Sequence, residues 1–178
     1  NIGRCHLYDG FMNAEYSDMS KFCVIWETAN ASSPYTVEAW KNDYVPYFIE
    51  NFFKDPRHAV IDNKPLLCVF GAGKIAERLG GNAKVKECFD YLEEEVKKIG
   101  FDGMIYLACG SSSNALAEMG FDGCYAYNWG KEGYTFEHNR KSILASADNK
   151  AVYTVPTVSV GFNSIAWEGA RFPLMSAE

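Results

Sequence analysis

The chain has 178 residues, 48% of them hydrophobic, enough for one domain with a real core. With 17 basic residues against 23 acidic ones and no basic run, it lacks the electrostatic footprint that nucleic acid or an anionic membrane would require. No apolar run approaches the roughly 18 residues that span a bilayer, and no secretory leader is visible.

The sequence opens at Asn1 without a Met and stops at Glu178, so it reads as one domain cut from a larger protein. Its compartment stays open among extracellular, periplasmic and cytoplasmic. The cysteines are Cys5, Cys23, Cys68, Cys88, Cys109 and Cys124. Most fall in or beside predicted strands, and no C-x-x-C or Cys/His cluster occurs, so buried thiols are expected rather than a metal site. Neither a metal nor a cofactor is expected. Aromatic residues reach 15%, an excess that hints at a surface for carbohydrate or another planar ligand.

Residues 5 to 16 have the spacing of a helix tail, with Leu7, Phe11 and Ala14 on one face. Phe22-Cys23-Val24-Ile25-Trp26 is a continuous apolar run of strand length, the mark of a buried parallel strand. Ser32-Ser33-Pro34 reads as a helix start. The helix carries Val37, Trp40, Tyr44, Phe48, Phe52 and Phe53, with a kink or restart at Pro46, and Asp55-Pro56-Arg57 closes it. A second strand, Leu66 to Phe70, ends in Gly71-Ala72-Gly73-Lys74. Val85, Phe89, Leu92, Val96 and Ile99 then recur at helical steps, with Lys and Glu opposite.

Gly100-Phe101-Asp102-Gly103 and Gly120-Phe121-Asp122-Gly123 repeat one turn, each leading into a strand: Met104 to Ala108, then Cys124 to Trp129. A short helix, Asn114 to Met119, lies between them. Residues 131 to 150 read as a polar loop with a helical turn, and Val155 to Val160 as the last strand. The pattern carries no hairpin signal.

Strands alternating with helices or helix-length crossovers define an α/β fold with a parallel sheet. An open doubly wound sheet and part of a (β/α)8 barrel both satisfy that order. Chemically diverse residues after every strand, on a chain shorter than the roughly 200 residues of a minimal barrel, favour a partial TIM-type barrel of about five βα units. Ligands then bind beyond the C-terminal strand ends, and the repeated Gly-Phe-Asp-Gly turns belong to the opposite, structural end.

The strand ends carry aromatics that can stack on sugar rings, amides that can grip hydroxyls, and the carboxylate of Glu27. The candidate substrate-binding residues are Trp26, Glu27, Asn30, Tyr127, Asn128, Trp129 and Asn163. Glu27 is also a weak catalytic candidate. Blander roles compete: Trp26 and Trp129 as plugs of the barrel top, Glu27 paired with Arg171, and Asn128 and Asn163 as loop hydrogen-bonders. Gly71-Ala72-Gly73-Lys74 fits neither phosphate-loop spacing. Ser111-Ser112-Ser113 suits helix capping, His6, His58 and His138 form no triad, and Glu93-Glu94-Glu95 lies on the wet side of its helix. A glycosidase needs two carboxylates about 5 Å apart for retention, or roughly 6.5–9.5 Å for inversion. Glu27 has no convincing partner, Glu168 and Asp122 being the nearest options.

The sequence resembles glycoside hydrolase family 99-like proteins, including the WbsX-type proteins of polysaccharide gene clusters. The stretches that carry this are Phe22-Cys23-Val24-Ile25-Trp26-Glu27 with Asn30, Trp40 through Phe48, Phe53 to Arg57 leading to Ile61-Asp62-Asn63-Lys64-Pro65, and Pro156 to Asn163. The resemblance implies a (β/α)8 barrel acting on glycans, of which these strands would be the third to seventh. Its catalytic acids would lie in a W-N-E-W-x-E type motif on an eighth strand, which nothing here matches. Where relatives read G-W-D-N, this chain reads Gly161-Phe162-Asn163-Ser164. The implied function is glycoside hydrolysis by the full-length parent on a polysaccharide or glycan, with an α-mannoside among the candidates. The remaining barrel strands would be its partners. The rival is an inactive carbohydrate-binding barrel or a protein of polysaccharide biosynthesis.

Overall fold

The computed structural model describes residues 5–29, 35–127 and 135–158. Its sheet contains β1 (Val24–Glu27), β2 (Val60–Ile61), β3 (Lys64–Phe70), β4 (Ile105–Cys109), β5 (Gly123–Tyr125) and β6 (Tyr153–Val155). The strands run β1-β3-β4-β5-β6, every neighbouring pair parallel. Successive parallel strands are adjacent, with no reversal of order. That excludes the doubly wound sheet with its switch point and leaves a sector of a βα barrel.

β2 is a correction to the sequence reading. It pairs antiparallel with β3, closing a hairpin at Asp62 and Asn63, whose φ angles are 49° and 56°. Asp and Asn enter the left-handed region more readily than other side chains, and two such residues make the turn that hairpins favour. The last strand also lies earlier than expected, at Tyr153–Val155.

The helical stretch 37–53, here α1, is N-capped by Thr36, whose Oγ1 accepts Ala39 N–H at 3.0 Å. Pro46 does not break it. The winding alternates between α and wider π turns, with π segments at Trp40–Tyr44 and Ile49–Phe53 on either side of the proline. Next come α2 (Ala72–Leu79) and α3 (Asn82–Lys98), separated by Gly80-Gly81, then α4 (Asn114–Met119) and α5 (Phe136–Asp148). α2 occupies a stretch whose sequence reads as a strand-end loop. α5 is a full helix where only a turn was expected.

The core lies between the sheet and these helices. α3 buries Val85, Cys88, Phe89, Leu92 and Val96 on one face, each large side chain contributing about 1.5–3 kcal/mol of burial. Its other face is laced with solvated ion pairs such as Lys86–Asp90 and Lys98–Glu95. Tyr106 of β4 stacks on Phe89 with centroids 4.0 Å apart and donates its hydroxyl to Phe89 O at 3.0 Å. Trp40 Nε1 donates to Cys88 O at 2.6 Å, tying α1 to α3. The polar ring atoms of Tyr106 and Trp40 thus both have backbone partners, as a dry core demands.

The Gly-Phe-Asp-Gly copies sit at the N-terminal ends of β4 and β5. Asp102 N–H donates to Asn63 O at 3.0 Å, and Asp122 Oδ2 accepts Tyr106 N–H at 2.8 Å. Both turns are scaffold, as their position in the sequence implied.

Candidate functional site

Successive strand side chains point to opposite faces, and this parity decides the site. Trp26 of β1 is only 8% exposed. Its ring packs against Trp40, Tyr44 and Phe48 of α1 and against Tyr35, with centroids 4.8–6.0 Å apart. It therefore lies on the helix side, with an edge showing in a groove of about 660 Å³ along the outer border of β1. Glu27, the next residue, lies on the other face. A wall containing both side chains as equals does not form.

Glu27 ends β1 opposite Phe70, the last residue of β3. Its Oε1 accepts Ala29 N–H at 2.7 Å, which curls the loop back over the strand end. Phe70 in turn meets Tyr127 edge to face, with centroids 5.8 Å apart. Tyr127 is 62% exposed, just past β5. Glu27, Phe70 and Tyr127 thus form one run across the C-terminal ends of the sheet: a carboxylate, an apolar ring and an amphipathic ring. Cys109 and Tyr125 continue that face on β4 and β5, Cys109 being the Cα partner of Tyr125.

Asn30, Asn128, Trp129 and Asn163 lie outside the described residues. The structure brings Glu27 and Tyr127 onto one face and assigns Trp26 to the layer behind it.

Two supports were missed by sequence reasoning. Thr28 is fully buried, its hydroxyl 2.7 Å from Phe70 O and 2.8 Å from Gly71 O. Gly71 has φ +85°, and a Cβ there would sit 2.9 Å from Thr28 Oγ1, so only glycine admits this join between β1 and β3. Arg78 of α2 lies over the Tyr35 ring at 5.0 Å and donates to Ala29 O at 3.5 Å. Burial raises the Tyr35 hydroxyl above its ordinary pKa, so it stays a neutral donor, reaching Glu27 O at 3.4 Å. A threonine directly after a strand and a left-handed glycine were the available signals. Lys74 sits on α2 and pairs with Glu77 at 2.9 Å. Ser113 caps α4, its Oγ accepting Leu116 N–H at 3.4 Å, as expected.

A parallel sheet sector with helices outside, bearing an aromatic and carboxylate face at the C-terminal strand ends, defines a (β/α)8-type barrel segment. Neither a family model nor a curated protein matches the chain. Solved structures do. An endo-α-mannosidase of glycoside hydrolase family 99 from Bacteroides thetaiotaomicron, in complex with Bis-Tris propane, superposes with a TM-score of 0.55 at 21% identity. The match covers 84% of this chain and 46% of that one. A second structure of the endo-α-mannosidase from that organism gives 0.53 at 21% identity, over 84% of this chain and 44% of the other. The chain spans less than half the length of the structures it matches, and what it shares with them is the fold of a barrel sector.

Proposed function

We propose that this chain forms the central wall of a glycan-processing barrel of the glycoside hydrolase family 99-like type. Its concave C-terminal face would hold a polysaccharide or glycan, an α-mannoside among the candidates. The observation that carries this reading is the Glu27–Phe70–Tyr127 run, seated at the functional end of a sheet that shares its fold with an endo-α-mannosidase barrel. Aromatic faces bind the apolar side of a pyranose, and a carboxylate accepts from its hydroxyls. Trp26 belongs to the support of this wall. Asn30, Asn128, Trp129 and Asn163 are its proposed loop contacts, and the remaining barrel strands of the parent complete it.

Hydrolysis of a glycosidic bond needs a pair of carboxylates. Among the last residues of the five parallel strands, Glu27 is the one carboxylate. Glu27 is accordingly assigned to substrate orientation, and the acid pair to residues beyond this segment. The same observation favours a second reading, a carbohydrate-binding barrel without turnover. Calorimetric titration with α-mannooligosaccharides tests the first part: binding is expected, weakened about tenfold or more by Tyr127→Ala. Absence of binding to any glycan would overturn the wall. Glycosidase turnover by the 178-residue chain alone would overturn the assignment of the acids elsewhere.

A further inference from the structure

Two thiols share the face of the sheet opposite the helices, at its β1 edge. Ile25 of β1 is the Cα partner of Cys68 on β3. Cys23 precedes Ile25 by two positions, so strand alternation places Cys23 and Cys68 on the same face as diagonal neighbours. The two differ in access. Cys23 is exposed and lines the open groove beside Tyr8 and Ile25, whereas Cys68 is buried. In the 178-residue chain a small solute therefore reaches the Cys23 sulfur first.

We propose that Cys23 and Cys68 form a peroxide-sensitive dithiol, with Cys23 as the attacking thiol and Cys68 as the resolving one. The Cys23 thiolate attacks one oxygen of a hydroperoxide. The O–O bond breaks, the departing oxygen takes a proton and leaves as water or an alcohol, and Cys23 becomes a sulfenic acid. The Cys68 sulfur then attacks the sulfenic sulfur. The S–O bond breaks, the hydroxyl departs as water with the Cys68 proton, and a disulfide closes. Two thiols lose two electrons and one hydroperoxide gains them.

The surroundings favour that order. The neighbouring Cys68 thiol lowers Cys23 to about 7, which favours its thiolate. Cys68, Cys88 and Cys109 move the opposite way. Burial pushes Cys88 up to about 11 and raises Cys109, and the neighbouring Cys23 together with burial raises Cys68. Parallel strands about 4.8 Å apart and a two-residue offset of about 6.6 Å put the two Cα atoms roughly 8 Å apart, beyond the usual span of a disulfide. Cys23 lies between Val24, the first paired residue of β1, and the bridge of Phe22 to His58, so closing the disulfide requires that short bridge to shift.

The test is hydrogen peroxide added to the purified chain at neutral pH, followed by intact-mass measurement and peptide mapping without reductant. The expected product has lost two hydrogens, contains a linked Cys23–Cys68 peptide, and returns to the starting mass with dithiothreitol. In Cys68→Ser, Cys23 should stop at the sulfenic acid and be trapped by dimedone. In Cys23→Ser, Cys68 should stay reduced at the same dose. A linkage through other cysteines, or Cys23 oxidised without any linked peptide, would overturn the proposal, as would thiols left unchanged. The wild-type peptide map decides this even where a variant fails to fold.

Discussion

Tyr106 and Asp122 are joined by a reciprocal pair of hydrogen bonds: Tyr106 N–H donates to Asp122 Oδ2 at 2.8 Å, and Asp122 N–H donates to Tyr106 O at 3.0 Å. Asp122 O also accepts Tyr153 N–H at 3.0 Å, so one turn residue pins the starts of β4, β5 and β6. Asp122→Ala leaves the Tyr106 N–H without its charged acceptor. A loss of about 1.5–3 kcal/mol is expected in urea unfolding. An unchanged midpoint would show that the strand pairing alone holds this corner. Glycan binding at the far end of the sheet should survive in the folded fraction.

Two glycines should respond in opposite senses. A Cβ at Gly123 would lie 2.8 Å from Tyr153 O and 2.9 Å from Leu107 Cδ2, against backbone and core on both flanking strands. Gly123→Ala should cost about 1–3 kcal/mol through overpacking. Gly73 lies inside α2 with open space around its missing Cβ. Gly73→Ala should stabilise by roughly 0.5–1 kcal/mol, because glycine gives up more chain entropy in a helix. Thermal melts of both variants check the contrast.

His58 makes stability depend on pH. It is buried, its Nε2–H donates to Leu66 O at 3.0 Å, and its Nδ1 has no partner among the described residues. Burial holds its pKa below the ordinary 6.5, outweighing the Leu66 carbonyl and the Asp55 carboxylate. The unfolded chain thus takes up a proton near 6.5 that the folded chain refuses. This contribution is complete above that pH and is lost as pH falls below it. The urea midpoint should drop between about pH 7.5 and about pH 5.5, and His58→Leu should flatten the drop. Asp55 acts in a lower window. The Arg57 guanidinium holds its carboxyl below 3.8, so that support is lost only as the pH falls further.

Trp26→Ala and Tyr127→Ala should separate core from wall. Trp26 is packed among four aromatic rings behind the sheet, and its removal should cost about 3–5 kcal/mol. Tyr127 meets solvent and the edge of Phe70, so its loss should leave the melting temperature nearly unchanged while weakening oligosaccharide binding. Equal effects on stability would contradict the face assignment.

Several elements were legible because their pattern is local. The apolar runs marked β1, β3 and β4, and the four-three spacing of Val85, Phe89, Leu92 and Val96 marked α3. Where the local pattern was silent, the reading failed. α5 buries Asn139 and Ser146 rather than aliphatic residues, so hydrophobic periodicity had nothing to mark. In α2, glycine and alanine hid a helix whose buried face is Ala72, Ile75 and Ala76. The Asp62-Asn63 hairpin was a turn signal passed over. The separation of Trp26 from Glu27 was available in principle, since neighbours on a strand cannot share a face.

The sequence by itself determined the alternation of strands and helices, the parallel direction of the sheet, and the structural end marked by the repeated Gly-Phe-Asp-Gly. Each follows from side-chain spacing and glycine geometry within a short stretch of chain. Only the tertiary structure decided which side of each strand meets the helices, that Phe70 bridges Glu27 and Tyr127, and that Cys23 lies beside Cys68. Those relations depend on the register between strands distant in sequence. Register is set by how whole faces pack, and a shift of one residue would turn every side chain on a strand to the opposite face.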